Sequence, residues 1–392
     1  MSVSNIKYLV NKVKGITQDP KYKELKNNLP FVPIYIGLGK LWFARKFNVN
    51  LEKCFVSPEL LLELQLKSKI FQYEEVPDDS IIDTTIDLDF GVALEPSLFG
   101  INPIFRKNEE PSFGLPVIKK KTDLDKLQMP DFFNSGIMPQ VHMMFSKMQD
   151  LVGDELQISF PGWARGPWGL ACMLRGFTNL YIDLIDDPQF VHSLMQFLVD
   201  SKLHFEKERA AFLGIEAKNI HQTWRYIYND YRKVAPSDLY NDEVDGALFS
   251  NKTYRKFIYP YEKQIANFHG GIRYYHSCGK LDSLISGIGE FPNLEILHVS
   301  PWTDLSTVCN ILSKKITLQV VMHVEEDTMK ADSNQMHNKL RKVIEKCKGR
   351  PFMLCVDGIY TGSIDKVKQW IHIARNELDK VNLSEMIEAK TF

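Results

Sequence analysis

The second half of the chain alternates short apolar runs with amphipathic helical stretches, and this regularity limits its possible folds most strongly. From about residue 155 onward, runs such as "ELQISFPG" and "ITLQVVMHV" are each followed by a stretch with helical periodicity. Several runs are continuously apolar, which is typical of strands buried on both faces of a parallel sheet. The pattern therefore predicts an α/β protein in which helices cover a parallel sheet.

Two parallel architectures fit such an alternation, a (β/α)8 barrel and an open sheet. The chain has 392 residues, and no glycine-rich dinucleotide fingerprint or phosphate loop follows its first predicted strands. We expect a TIM (β/α)8 barrel, because the length and the number of alternations suit it better. The barrel is predicted to form one domain over 1–392, in which 1–130 contains an N-terminal extension and long surface excursions.

Capping residues and prolines predict where individual helices begin and bend. Ser57 and Asp187 each precede a proline and a helical pattern, as N-cap residues do. Pro260 predicts a kink in a helix that Ser250 caps. The helices predicted in this way are 57–71, 136–153, 187–214 and 250–271, and strands are predicted at 29–38, 80–91, 155–162 and 217–224.

Composition argues against several classes of protein. Lys and Arg total 48 against 49 Asp and Glu, a net charge of −1, so we expect no nucleic-acid partner. No run of about 18 apolar residues predicts a membrane span, and residues 1–30 lack the apolar core of a secretory signal. The six cysteines are scattered, as free thiols of a reducing compartment are. We expect a cytoplasmic protein, either a monomer or a homodimer.

Histidines recur where the predicted strands end, which is where a barrel carries its functional groups. Four of the ten histidines stand there, namely His221, His276, His298 and His323. His276 and Cys278 in "RYYHSCGK" are two apart, so on a strand both side chains point to one face. An imidazole and a thiolate on one face are able to bind the same zinc ion.

A catalytic zinc has three protein ligands and one open position, so the pair needs a third ligand from another strand. Cys355 lies near the end of a later apolar run, and Asp357 and His323 are the alternatives. Structural zinc usually shows paired C-x2-C motifs, which this chain lacks. The residues alone leave the choice of third ligand open.

Several segments resemble, in the same order, the cobalamin-dependent methyltransferases of the uroporphyrinogen decarboxylase superfamily. "HSCG" (276–279) is similar to the H-x-C-G element of that branch. The segments beginning "GPWGLACMLRG" at 166, "LYNDEVDG" at 239 and "DGIYTGSIDKV" at 357 also look like superfamily elements. The resemblance covers most of residues 155–380 and, more loosely, 30–130.

This resemblance implies a TIM barrel and a zinc ion held by His276, Cys278 and a later cysteine. The family's later cysteine falls on Asp357 here, and we expect Cys355 to replace it, because thiolate is the softer donor. The zinc would activate a thiol or polarise the atom that bears a methyl group. A corrinoid (cobalamin) protein would dock over the barrel mouth and give or take the methyl group.

Further site residues follow from the strand ends and from the resemblance. The candidate catalytic residues are Asp242, Asp357 and His298, of which His298 stands where some relatives carry a carboxylate ligand. The candidate substrate-binding residues are Trp163, Trp224, Arg225, Tyr226 and Asp245. The substrate would be a small methyl donor or acceptor, such as a thiol, a methyl ether or an amine.

Two other functions fit the same barrel. One is a metal-free decarboxylase like the enzyme that gives the superfamily its name, and the other is a zinc-binding barrel without catalysis. The decarboxylases carry an arginine-rich N-terminal loop for the porphyrin carboxylates, and here only Arg45 and Lys46 are comparable. The sequence therefore favours the methyltransferase.

Overall fold

A computed structural model describes residues 3–22, 33–215 and 237–380 of the chain. The strands are β1 (Ile34–Leu38), β2 (Thr85–Asp87), β3 (Pro103–Ile104), β4 (Ser112–Phe113), β5 (Gln157–Ser159), β6 (Ser237–Tyr240), β7 (Ile272–His276), β8 (Ile296–Val299), β9 (Thr317–Val321) and β10 (Phe352–Ile359). The helices are α1 (Val3–Thr17), α2 (Lys40–Lys46), α3 (Leu51–Cys54), α4 (Pro58–Glu75), α5 (Leu94–Ser97), α6 (Met138–Val152), α7 (Pro167–Arg175), α8 (Phe177–Asp186), α9 (Pro188–Phe212), α10 (Asn251–Phe257), α11 (Tyr259–His269), α12 (Ile285–Ile288), α13 (Leu305–Ile311), α14 (Ser333–Lys346) and α15 (Ile364–Leu378).

The parallel strands form the centre of the molecule. Six of them make one sheet in the order β1-β10-β9-β8-β7-β6, and β2 pairs with β5 in a second parallel sheet. All four residues of β8 and all five of β9 are buried, as continuous apolar runs predict. The predicted α/β TIM-barrel class is confirmed, although the hydrogen-bonded ladder of the described strands does not close into a ring.

The ladder is open beside β1 because side chains take the place of a neighbouring strand. The backbone N–H of Ile34 donates to Asp79 Oδ2 at 3.0 Å, and that of Ile36 donates to Asp78 Oδ2 at 3.0 Å. Because these backbone N–H groups already have acceptors, the edge of β1 needs no neighbouring strand to satisfy them. The acidic turn after α4 therefore covers the edge of β1 that β2 would otherwise meet.

The predicted caps form as expected. Ser57 accepts from Leu60 N at 3.3 Å, Asp187 accepts from Phe190 N at 3.1 Å, and each cap precedes the proline that begins its helix. The helix expected to kink at Pro260 is instead two helices, α10 and α11, which are separated at Ile258. The proline lacks an N–H for the helical ladder, which explains the break.

The predicted strands are longer than the observed ones. The stretch 80–91 contains only the three residues of β2, and 155–162 contains only the three of β5. The strand predicted at 217–224 lies outside the described residues, as does the beginning of the one at 29–38. None of the helices given above combines the length and apolarity that crossing a bilayer requires.

Candidate metal centre and active site

Three potential metal ligands converge where β6 and β7 end. His276 is the last residue of β7, and its Nε2 lies 3.3 Å from Cys278 Sγ and 2.9 Å from Asp242 Oδ1. These ligand atoms all lie within 4.8 Å of one another. The structure therefore brings together the predicted ligands His276 and Cys278, with Asp242 as the third member.

A turn after β6 carries Asp242 to this position. The backbone N–H of Asn241 donates to the carbonyl of His276 at 2.9 Å, which continues the pairing of β6 with β7. The Asn241 side chain donates to the buried carboxylate of Glu262, which also accepts from Tyr254 Oη at 2.6 Å. The residue before Asp242 is thus held on both its main chain and its side chain.

The donor set fits a zinc ion. Imidazole nitrogen, thiolate sulfur and carboxylate oxygen are all zinc ligands, with bond lengths of about 2.0–2.3 Å that bring neighbouring ligand atoms roughly as close as these are. Asp242 Oδ1 is buried and lies 2.9 Å from His276 Nε2. A cation bound between these two atoms would interact favourably with both the carboxylate and the imidazole. Three protein ligands would leave one coordination position open to a substrate.

The charges around the group also suit a cation. Burial would raise the pKa of Asp242, but His276 and Arg165 outweigh it and hold that pKa below its usual range. Burial and the carboxylates of Asp242 and Asp357 raise the pKa of the Cys278 thiol well above its usual range. A bound metal ion would counter this effect, because a coordinating thiol loses its proton.

A chain of buried side chains on β7, β9 and β10 supports the imidazole from below. Tyr274 Oη lies 3.2 Å from His276 Nδ1 and donates to Gln319 Oε1 at 2.6 Å, while Gln319 Nε2 contacts Cys355 Sγ at 3.8 Å. Because the tyrosine proton goes to Gln319, the hydroxyl oxygen accepts from Nδ1–H of His276. With a metal ion bound between Asp242 and Cys278, this tautomer would direct the lone pair of Nε2 at the ion.

The rest of "HSCG" holds the turn that presents Cys278. Ser277 Oγ donates to the Val244 carbonyl at 2.7 Å and accepts from Gly279 N at 3.0 Å. A Cβ at Gly279 would lie 2.9 Å from Asp245 Cβ, so a larger residue there would displace the neighbouring turn. The Asp245 carboxylate accepts from Lys280 N at 3.2 Å. Asp245 therefore ties the two turns together, and a contact with substrate stays a prediction.

A buried ion pair stands behind Asp242. Arg165 Nη1 lies 2.5 Å from Glu243 Oε1, and Arg165 Nη2 lies 3.8 Å from Asp242 Oδ2. The Arg165 backbone N–H donates to Glu95 Oε1 at 3.3 Å. Burial raises the pKa of Glu243 despite the guanidinium. Arg165 thus supplies a positive charge to two acidic residues at the site.

A cavity of about 510 Å³ opens beside His276. Its aromatic lining consists of Tyr35, Phe90, Phe160 and Tyr360, and its charged lining consists of Asp87, Asp89, Glu95, Glu110, Asp357, Lys40 and Arg209. This volume suits a small-molecule ligand. The described lining holds more carboxylates than cations.

The other candidate ligands lie outside the cluster. Cys355 is buried beside Gln319, and burial together with the Asp357 charge raises the pKa of its thiol well above the usual range. His298 is buried, lies against His276 with ring centroids 4.0 Å apart and ring planes tilted by 41°, and donates from Nδ1 to the Ser277 carbonyl at 2.8 Å. His323 Nδ1 accepts from the first turn of the next helical segment. Coordination by Cys355 therefore stays a prediction that this arrangement does not favour.

Asp357 and Trp163 have contrasting surroundings. Asp357 lines the cavity together with His276, and its Oδ1 accepts from Gly358 N at 2.8 Å. Trp163 is buried between Phe99 and Phe205, with ring centroids 5.8 Å from each, and does not line the cavity. The remaining predicted substrate residues, Trp224, Arg225 and Tyr226, lie outside the described residues.

The sequence interpretation missed the supporting residues. Tyr274 was detectable, because it stands two positions before His276 on the same strand and so shares its face. Arg165 and Gln319 had no comparable signal, since Arg165 lies in the loop before α7 and Gln319 lies within β9, both far from His276 in sequence. Apart from Asp357, the acidic residues of the cavity lie in the irregular first third of the chain, where periodicity assigns no position.

Taken together, these features define a parallel α/β barrel protein with a candidate metal centre at the C-terminal ends of its strands. The model of the uroporphyrinogen decarboxylase (URO-D) family matches residues 44–211, which confirms the predicted resemblance to that superfamily. Among solved structures, a methyltransferase from Methanosarcina mazei matches with a TM-score of 0.64 at 14% identity, over 92% of this chain and 98% of that chain. This likeness is one of fold. No curated protein sequence matches the chain.

Proposed function

We propose that this chain is a zinc-dependent methyltransferase that moves a methyl group between a small substrate and a corrinoid on a partner protein. The observation that carries the proposal is the convergence of Asp242, His276 and Cys278 beside the cavity. The match to the URO-D family and the likeness in fold to a methyltransferase add support. The substrate would be a thiol that receives the methyl group, or an ether or amine that gives it.

The residues of this chain would bind zinc and shape its surroundings. Zinc held by Asp242, His276 and Cys278 would act as a Lewis acid toward a substrate heteroatom. Tyr274 fixes the His276 tautomer, and the walls of the cavity would hold the substrate in position. We assign the role of proton acceptor to Asp357, because its carboxylate lines the same cavity.

The metal-free decarboxylase is less consistent with the cavity. A porphyrinogen substrate with several carboxylates needs cationic partners, which arginine supplies best. Lys40 and Arg209 are the cations of the described lining, and each already contacts an acidic neighbour: Lys40 pairs with Asp89, and Arg209 Nη1 lies 3.0 Å from Glu206 Oε2. The charge of this cavity would repel a poly-anionic substrate.

A methyl-transfer assay tests the proposal. The zinc-loaded full chain is mixed with methylcobalamin and a panel of thiols, and demethylation of the corrinoid is followed by its absorbance. We expect thiol-dependent demethylation that Cys278→Ala abolishes and Cys347→Ala, a substitution outside the site, preserves. Decarboxylation of uroporphyrinogen by metal-free protein, without any methyl transfer, would overturn the proposal in favour of the alternative.

A further inference from the structure

Two thiols outside the proposed metal centre contact each other. Cys309 lies on α13, Cys347 follows the last residue of α14, and their side chains are hydrogen-bonded to each other. Cys309 is half-buried, whereas Cys347 is buried. Two cysteine side chains that approach each other from neighbouring segments meet the first requirement for a disulfide.

Arg350 fixes the two cysteines relative to each other. Its Nη2 donates to the Cys309 carbonyl at 3.3 Å and to the Leu312 carbonyl at 2.8 Å, and its backbone N–H donates to the Cys347 carbonyl at 3.2 Å. Arg350 therefore binds the main chain beside both thiols. Its Nη1 is a buried donor that has no acceptor among the described residues.

The surroundings shift the pKa values of the two thiols in opposite directions. The hydrogen bond with Cys347 lowers the pKa of Cys309 to about 7 against the effect of burial, with help from Arg350 and Lys346. Asp304 acts in the opposite direction, but its carboxylate lies 3.8 Å from Lys346 Nζ. The hydrogen bond and burial raise the pKa of Cys347. Cys309 is also the more exposed of the two cysteines, so an oxidant reaches its sulfur first and Cys347 is the thiol that reacts second.

We propose that Cys309 and Cys347 are a redox-active dithiol, which low-molecular-weight disulfides convert into an intramolecular disulfide. The Cys309 thiolate attacks one sulfur of the oxidant and releases its first thiolate, leaving a mixed disulfide on Cys309. Cys347 then loses its proton and attacks the Cys309 sulfur, which releases the second thiolate. The protein gives up two electrons and two protons, and the oxidant leaves as two thiols.

Oxidised glutathione and peptide mapping test this proposal on the full chain. We expect the native protein to form a Cys309–Cys347 disulfide that retains no glutathione and that dithiothreitol reverses. Cys347→Ser keeps a hydrogen-bond donor but lacks the second sulfur, so it should accumulate one glutathione on Cys309. Cys309→Ser should leave Cys347 reduced, and the control Cys172→Ser, which alters a buried thiol elsewhere, should behave as the native chain does.

Two results would overturn the assignment. One is a native Cys309 that remains fully open to alkylation after treatment that oxidises the exposed Cys278. The other is a Cys347→Ser variant that carries no glutathione on Cys309. Because mapping reads each cysteine separately, reaction at Cys278 does not obscure either result.

Discussion

The hydroxyl of Tyr274 lies 3.2 Å from Nδ1 of His276, on the side of the ring opposite the proposed ligand atom Nε2. The same hydroxyl donates to Gln319 at 2.6 Å. A hydrogen-bond partner on the nitrogen that does not bind the metal orients a metal-binding histidine and selects its tautomer. The affinity for zinc should therefore depend on a residue that never touches the metal.

Tyr274→Phe tests that dependence. We expect zinc to bind about 10–100-fold more weakly, because the imidazole loses the group that holds its tautomer. Chelator competition measures the affinity. The matched control is Tyr275→Phe, which alters the adjacent buried tyrosine, whose hydroxyl faces Glu262 instead. Equal losses in the two variants would mean that general destabilisation, and not the contact with His276, weakens binding.

Arg165 should contribute strongly to stability, because it is a buried cation beside the carboxylates of Asp242 and Glu243. Arg165→Met leaves Asp242 and Glu243 without it, and we expect a loss of about 3–5 kcal/mol in the free energy of unfolding. Adding Glu243→Gln should recover part of that loss. Urea denaturation measures both.

An exposed ion pair provides the comparison for Arg165. Arg106 pairs with Glu109 at the surface, and Arg106→Met should cost less than about 1 kcal/mol. Similar losses at Arg165 and Arg106, or no recovery on adding Glu243→Gln, would contradict the buried-pair account.

Glu262 should make stability fall as the pH rises. Burial raises its pKa in the folded chain from 4.5 to about 7, although Tyr254, Tyr275 and Asn241 donate to it. Folding therefore takes up a proton, so this contribution to stability is retained below pH 4.5 and is lost as the pH approaches 7. Between pH 5 and 8, Glu262→Gln should gain roughly 2–3 kcal/mol relative to the native chain.

Unfolding free energies at several pH values check the role of Glu262. Glu290→Gln is the control, because that carboxylate is exposed and pairs with Arg255. The difference between this control and the native chain should show no such rise. A Glu262→Gln difference that stays constant from pH 5 to 8 would refute the assignment.

Gly37 should be needed for the position of Asp357. A Cβ at residue 37 would lie 1.7 Å from Asp357 Oδ1, so Gly37→Ala must displace that carboxylate from its place in the cavity. We expect methyl transfer to fall by about 100-fold while zinc affinity is unchanged, because the proposed ligands lie elsewhere. Gly15→Ala, where no atom lies within 4 Å, is the control. Unaltered turnover in Gly37→Ala would remove Asp357 from the mechanism.

The chain alone predicted the parts of the fold that depend on local pattern. Ser57 and Asp187 cap their helices as expected, and His276 ends a buried strand. The length of β2 was not predictable, because the neighbouring acidic turn satisfies the edge of β1 with side chains. That arrangement depends on contacts between segments and leaves no trace in periodicity.

In the site, too, local pattern predicted some residues, whereas others depend on contacts between segments. His276 ends β7 and Cys278 lies in the turn that follows it, so their closeness in sequence was enough to place them together. Asp242 belongs to the turn after the adjacent strand β6, and only the pairing of β6 with β7 brings it to His276. The sequence favoured Cys355 because thiolate is a soft zinc donor. That criterion does not predict where the side chain lies in the barrel. In the structure the Cys355 thiol contacts Gln319 Nε2 at 3.8 Å and lies outside the cluster of Asp242, His276 and Cys278.

Zinc affinity of two variants tests the central claim most directly. Asp242→Asn removes the proposed third ligand, whereas Cys355→Ser alters the alternative one, and chelator competition measures the dissociation constant of each. We predict that Asp242→Asn weakens zinc binding by at least about 100-fold, more than loss of a supporting contact would, while Cys355→Ser stays within about threefold of the native chain. Weak binding by Cys355→Ser together with native affinity in Asp242→Asn would contradict the account.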